Sequence, residues 1–155
     1  MKSNIQYRFA YILAIWFGCG RVPKMPGTAG TLGAIPFYFL LARGGPLAVA
    51  AGAIVVTLVG VWAATLVVRK TGLKDPQIVC IDEVAGVLIT LVAAPNTWKG
   101  VLASVVLFRI FDQWKPWPAR QAESLREGWG VVMDDVFAGL WGAAVLLIAR
   151  ALHWL

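Results

Sequence analysis

Residues Pro46–Val68, PLAVAAGAIVVTLVGVWAATLVV, decide the fold: 23 consecutive positions carry no charge. Coiled as an α-helix they would extend about 35 Å at 1.5 Å per residue, enough to cross a hydrocarbon core of about 30 Å. A second run, Val136–Leu155, has 20 residues and is interrupted only near its end by Arg150 and His153. Three shorter runs, Thr31–Ala42, Val84–Ala94 and Val101–Phe111, have 11 or 12 residues each. These fall below the roughly 17–25 residues that a lone crossing needs, so they read as buried, re-entrant or tilted helices. The 155-residue chain is 59% hydrophobic and 14% charged, whereas a soluble domain carries about 25% charge. Such a composition excludes a disordered chain and argues against a free cytosolic globule. The expectation is an all-α, multi-helical integral membrane bundle, one domain over residues 1–155, with short helical hairpins and motif loops on one face.

Near the N-terminus, Phe9–Phe17 is apolar and is followed by no small-x-small cleavage site; it is expected to stay as a short membrane-associated helix. Cys19 and Cys80 are 61 residues apart without metal-ligand spacing, and read as reduced, incidental thiols. The net charge of +6 points to anionic lipid headgroups. Nucleic acid is disfavoured because the aromatics lie inside apolar runs and not among basic residues.

All eight carboxylates fall between Asp75 and Asp135. If Thr31–Val68 is a hairpin turning at Arg43-Gly44-Gly45, and Val84–Phe111 another turning at Pro95-Asn96-Thr97, three polar segments (19–30, 69–83 and 112–135) emerge on one face. Arg21, Lys24, Arg69, Lys70, Lys74, Lys115, Arg120 and Arg126 would share that face, against Arg43, Lys99 and Arg150 opposite. The positive-inside rule then turns the acidic face to the cytoplasm.

Three constellations carry chemistry. Asp82-Glu83, Asp112 and Asp134-Asp135 each stand where a polar loop meets an apolar run. Acids at helix N-termini complement the dipole by a few tenths of a kcal/mol, which covers Asp82, Glu83, Asp134 and Asp135 one by one. Dipole complementarity does not cover Asp112, at a C-terminal end. Clustered carboxylates at a membrane surface suit a hard cation such as Mg²⁺, which takes oxygen ligands and phosphate oxygens. In Phe108-Arg109-Ile110-Phe111-Asp112-Gln113-Trp114-Lys115-Pro116-Trp117-Pro118, Arg109 and Asp112 are three apart and share a helix face. Arg109 and Lys115 read either as phosphate ligands or as structural partners, with Trp114 and Trp117 as interfacial anchors. The stretch Pro26-Gly27-Thr28-Ala29-Gly30-Thr31 reads as an ordinary glycine turn, or as a phosphate-binding one supplied by Gly27, Thr28, Gly30 and Thr31.

Several phosphatase chemistries are absent. The single histidine, His153, lies at the far end; neither cysteine has an arginine six residues on, and no Asp-x-Asp occurs. Metal–carboxylate chemistry remains. The motifs Ile81-Asp82-Glu83-Val84-Ala85-Gly86, Phe108–Pro118 and Met133-Asp134-Asp135-Val136-Phe137-Ala138-Gly139, in this order, make the chain resemble the phosphatidylglycerophosphatase A family. Glu123 stands where the family pattern calls for an aspartate. The resemblance implies a Mg²⁺-dependent lipid phosphatase of the bacterial inner membrane that converts phosphatidylglycerol phosphate to phosphatidylglycerol. Asp82, Glu83, Asp112, Asp134 and Asp135 would then be its metal-holding and catalytic set. A membrane cation-binding or transport protein using the same carboxylates is the alternative.

Overall fold

The computed structural model describes residues 2–154, and every regular element among them is helical. The chain runs through α1 (Lys2–Ala14), a 3₁₀ turn (Trp16–Arg21), α2 (Pro26–Ala42), α3 (Gly45–Thr71), α4 (Ile81–Val92), α5 (Trp98–Trp114), the short α6 (Ala119–Ala122) and α7 (Gly128–Ala151). Helices α2, α4 and α7 begin at one end of the molecule, and α1, α3 and α5 finish there. The two expected hairpins form, with α2 and α3 joined at Arg43-Gly44 and α4 and α5 joined over 93–97. Helices α3 and α7, at 27 and 24 residues, are long and apolar enough to cross a membrane.

Helix α4 is the centre. Nine of its twelve residues are buried, and it packs against α2, α3, α5 and α7. Its closest crossing is with α7, at a pair of glycines: a Cβ added at Gly86 would meet Asp135 O at 2.6 Å, and one added at Gly139 would collide with Gly86 O. Thr90 Oγ1 bridges the crossing, donating to Gly139 O at 3.0 Å with Gly86 O at 3.3 Å. Because backbone meets backbone here, Asp82-Glu83 on α4 and Asp134-Asp135 on α7 arrive at the same end and close together.

The outer surface is apolar. Leu47, Ile54 and Leu58 on α3, Phe39 and Leu40 on α2, and Leu140, Leu147 and Ile148 on α7 are half or more exposed. A patch this extensive is foreign to a soluble monomer. Helix α5 ends in an exposed tryptophan on each side, Trp98 and Trp114, about 24 Å apart along the helix.

Four sequence expectations need correcting. Helix α7 does not start at Val136 but at Gly128; the hydropathy reading stopped at the two aspartates, whereas the backbone ladder runs through them. Asp134 and Asp135 therefore lie in the second turn, beyond the reach of N-terminal dipole capping. Residues 27–31 are not a turn either, since α2 begins at Pro26, placed in the first turn where its missing N–H costs nothing. Likewise the Thr31–Ala42 run is the C-terminal part, and the Val101–Phe111 run the centre, of a 17-residue helix. Near the N-terminus the helix ends at Ala14, ahead of Trp16 and Phe17, which adopt φ of 40° and 55°. It packs against α3, with Ala10 and Ala14 fully buried.

Gly86→Ala is expected to destabilise the protein by about 1–3 kcal/mol through overpacking against backbone. Thr90→Val should cost about 1 kcal/mol by removing the bridging hydroxyl. Thermal unfolding in detergent measures both, and Gly86→Ala should show the larger drop.

Candidate active site and metal centre

At the end where α2, α4 and α7 begin, a cavity of about 670 Å³ opens. All three polar segments expected to share one face contribute to its wall. All eight carboxylates of the chain line it: Asp75, Asp82, Glu83, Asp112, Glu123, Glu127, Asp134 and Asp135. Four basic side chains line it too, Lys24, Lys74, Arg109 and Lys115, so the wall carries a formal excess of four negative charges.

The sequence places these groups by helix register. Asp82 and Glu83 occupy the first turn of α4, Asp112 the last turn of α5, and Asp134 and Asp135 the second turn of α7. Carboxylate oxygens of Asp82, Glu83 and Asp135 all lie within 4.8 Å of one another. Asp82 and Asp135 are buried and Glu83 is half-buried. Among the described residues, Asp82 Oδ1, Glu83 Oε2 and Asp134 Oδ1 are buried without a hydrogen-bond partner. Unpaired buried carboxylate oxygens are costly, and three converging carboxylates repel one another. A hard divalent cation bound by oxygen ligands relieves both problems, so this donor set fits a metal ion.

Asp112 and Asp134 stand beside the triad and are held by cations. Arg109 Nη1 forms an ion pair with Asp112 Oδ2 at 2.8 Å, and Gln113 Nε2 donates to the same oxygen at 3.1 Å. Lys115 Nζ donates to Asp134 Oδ2 at 2.7 Å and also to Glu123 Oε1. Burial opposes the charge on Lys115, but its hydrogen bonds to Asp134 and Glu123 outweigh that and hold its pKa above the usual lysine value. Lys115 caps α5 in the left-handed region, with φ 48°, which turns the chain into the 116–118 segment. Both basic residues weighed as phosphate ligands are therefore engaged by carboxylates.

The structure also separates the Gly27–Thr31 group. Gly27 and Thr28 line the cavity, and a Cβ at Gly27 would collide with Glu83 Oε1. Gly30 instead packs on Cys80, and Thr31 is buried with its hydroxyl donating to Gly27 O at 2.9 Å. Neither reaches the cavity, so neither is assigned a part in it. Both cysteines are free, and burial, followed by the charges of Glu83 and Asp82, pushes the Cys80 thiol well up, so Cys80 offers no thiolate.

Some partners had no sequence signal. Glu123 pairs with Lys115 across eight residues that include Pro116 and Pro118, a spacing no helix rule covers. Arg69 and Glu127, 58 residues apart, form two-point contacts of 2.8 and 2.9 Å. The hydrogen bonds from Arg69 hold Glu127 below the usual carboxylate range. This pair joins the end of α3 to the start of α7.

The chain matches the family model described as phosphatidylglycerophosphatase A over residues 12–150. It is 38% identical to phosphatidylglycerophosphatase A of Escherichia coli K12 over 149 residues, covering 93% of this chain and 84% of the relative. The corresponding enzyme of Haemophilus influenzae Rd is 34% identical, over 94% of this chain and 90% of the relative. A putative phosphatidylinositol-3-phosphatase of Bacteroides thetaiotaomicron is 40% identical, over 90% and 92%. No solved structure matches the chain.

Added Mg²⁺ is expected to raise the unfolding temperature of the purified protein, by about 2.7 kcal/mol of stabilisation at a hundred times its Kd. Asp82→Asn combined with Asp135→Asn should remove that response, as read by thermal melts with Mg²⁺ and with EDTA. An equal shift in the double variant would exclude the triad as the ion's site.

Proposed function

The chain belongs to the phosphatidylglycerophosphatase A family, and from that premise we propose that it is a Mg²⁺-dependent phosphatase of the bacterial inner membrane. Its substrate is phosphatidylglycerol phosphate and its products are phosphatidylglycerol and inorganic phosphate. One observation carries this reading beyond the family: the gathering of all eight carboxylates around one cavity, at one end of helices whose outer faces are apolar. A phosphomonoester carries a charge near −1.5 to −2, and a wall with four surplus negative charges repels it unless cations enter first. The carboxylates gather at one end of the molecule, in the outer turns of the helices and the loops between them, and not along a path through it, which favours catalysis at a surface over ion passage.

In this reading α3 and α7 cross the bilayer within a multi-pass bundle, and the basic-rich cavity end faces the cytoplasm. The lipid tails stay among the exposed apolar side chains while the headgroup enters the cavity. Asp82, Glu83 and Asp135 hold the cation. When bound, Mg²⁺ neutralises charge on the phosphoryl oxygens and favours ionisation of an attacking water. The protein's own groups do the rest, chiefly by positioning, as phosphoryl transfer requires. The free backbone N–H groups of Gly27 and Thr28, at the start of α2, receive phosphate oxygens. Arg109, held in place by Asp112, presents its remaining N–H donors to the same group. Asp134 is anchored through Oδ2 by Lys115, which leaves Oδ1 to accept a proton from water as its oxygen bonds to phosphorus. The ester P–O bond breaks, and the glycerol oxygen leaves and takes up a proton.

Detergent-purified protein is expected to release phosphate from phosphatidylglycerol phosphate with Mg²⁺ and to stop when EDTA is added. Asp134→Asn should lower kcat at least about a hundredfold, or about 2.7 kcal/mol of transition-state stabilisation, with the melting profile still cooperative. Release that persists in EDTA would sink the metal role, and full activity in Asp134→Asn would remove that residue from the chemistry. Lys115→Met is expected to lose activity and to destabilise the fold by about 3–5 kcal/mol, because it strands Asp134. Lys115→Arg should recover part of both.

A further inference from the structure

We propose that Lys24 and Lys74 form a second anion subsite on the rim of the cavity, one that takes the phosphodiester of a lipid whose headgroup carries a separate terminal phosphate. The inference rests on the lipid phosphatase reading above and adds the part of the substrate that reading leaves unplaced. Of the four basic side chains lining the cavity, Arg109 and Lys115 are committed to Asp112, Asp134 and Glu123. Among the described residues no carboxylate pairs with Lys24 or Lys74, although the cavity holds eight. They supply the uncommitted positive charge of the site.

Their position matches the chemistry. Lys24 lies in the loop before α2, with φ 70°, and Lys74 follows the left-handed cap Gly72 at the end of α3. The apolar side chains beside them in the chain, Val22, Met25 and Leu73, are 42%, 58% and 58% exposed. Exposed apolar groups next to lysines place this edge at the level where tails give way to headgroups. Glu123 and Glu127, also on the cavity wall, are paired with Lys115 and Arg69 and offer an anion no donor. A headgroup with two phosphates has its terminal monoester at the reacting centre, and its diester lies between that centre and the tails. The lysine edge is where a diester on that path meets positive charge. The two lysines would therefore favour lipids bearing both phosphates over those with a monoester joined directly to diacylglycerol.

The test uses the full-length protein and Lys24→Gln/Lys74→Gln, with Lys99→Gln at the opposite end as control. Binding of dihexanoyl phosphatidylglycerol, which has the diester and no monoester, is read by its shift of the melting temperature in detergent. The double variant should bind it about tenfold more weakly, the loss expected for one charge-assisted hydrogen bond. In turnover, KM for phosphatidylglycerol phosphate should rise by about the same factor with kcat retained, and preference over phosphatidic acid should fall. Equal binding by wild type and variant, or equal losses on both substrates, overturns the subsite. Absence of phosphate release by the wild type, with diester binding that still depends on the lysines, would instead overturn the phosphatase reading alone.

Discussion

Mutual repulsion among carboxylates is the constraint on which this structure turns. Eight acids in a chain of 155 residues are few, yet every one of them faces a single cavity. Like charges at such spacing raise the energy of the folded state, and burial of Asp82, Asp112, Asp134 and Asp135 adds a desolvation cost. Folding alone gives no reason to concentrate them. The arrangement makes physical sense when cations complete it, some built in as Arg109 and Lys115, others admitted from solution. Part of the stability of this end is thereby coupled to whatever cation it binds.

Holding those groups in place falls to close backbone contact and not to bulk. Gly86 and Gly139 bring α4 and α7 together with Thr90 bridging them, so the acids of both helices reach one point. The two paired basic residues then act in different ways. Arg109 orients Asp112 within α5, whereas Lys115 reaches across to α7 and ties Asp134 to Glu123. The contact from Lys115 to Asp134 would not survive a shift of α7 by an ångström or two, since hydrogen bonds weaken steeply with distance and angle. Preorganised charge of this kind is what a reaction governed by electrostatics and positioning demands.

The helical class and the one-sided clustering of polar segments were legible in the sequence because hydropathy and charge are local properties. Hairpin turns at Arg43-Gly44 and 93–97 were readable for the same reason. Helix starts were not. Hydropathy ends a helix at the first charge, and α7 carries its two aspartates inside the helix because the cavity, not lipid or water, surrounds them. The Gly27–Thr31 stretch looked like a loop since glycine and threonine favour turns. Pro26 starts a helix there, which spends the Thr31 hydroxyl on Gly27 O. Pairings such as Lys115 with Glu123 and Arg69 with Glu127 depend on how loops fold back, and no periodicity encodes them.

The division of labour among the basic residues explains why a net charge of +6 coexists with an acidic site. Cations that touch the acids are consumed in positioning them and contribute little attraction to a distant anion. Attraction has to come from charges left free, and these lie at the rim, on loops that border exposed apolar side chains. In the proposed reading, an anionic headgroup meets the positive charge of these loops before it meets the buried carboxylates. Long-range steering and short-range catalysis thus call for opposite signs of charge a few residues apart. In this chain Lys24 and Lys74 stand on the loops ahead of α2 and after α3, and the buried acids Asp82, Asp112, Asp134 and Asp135 stand on the helices.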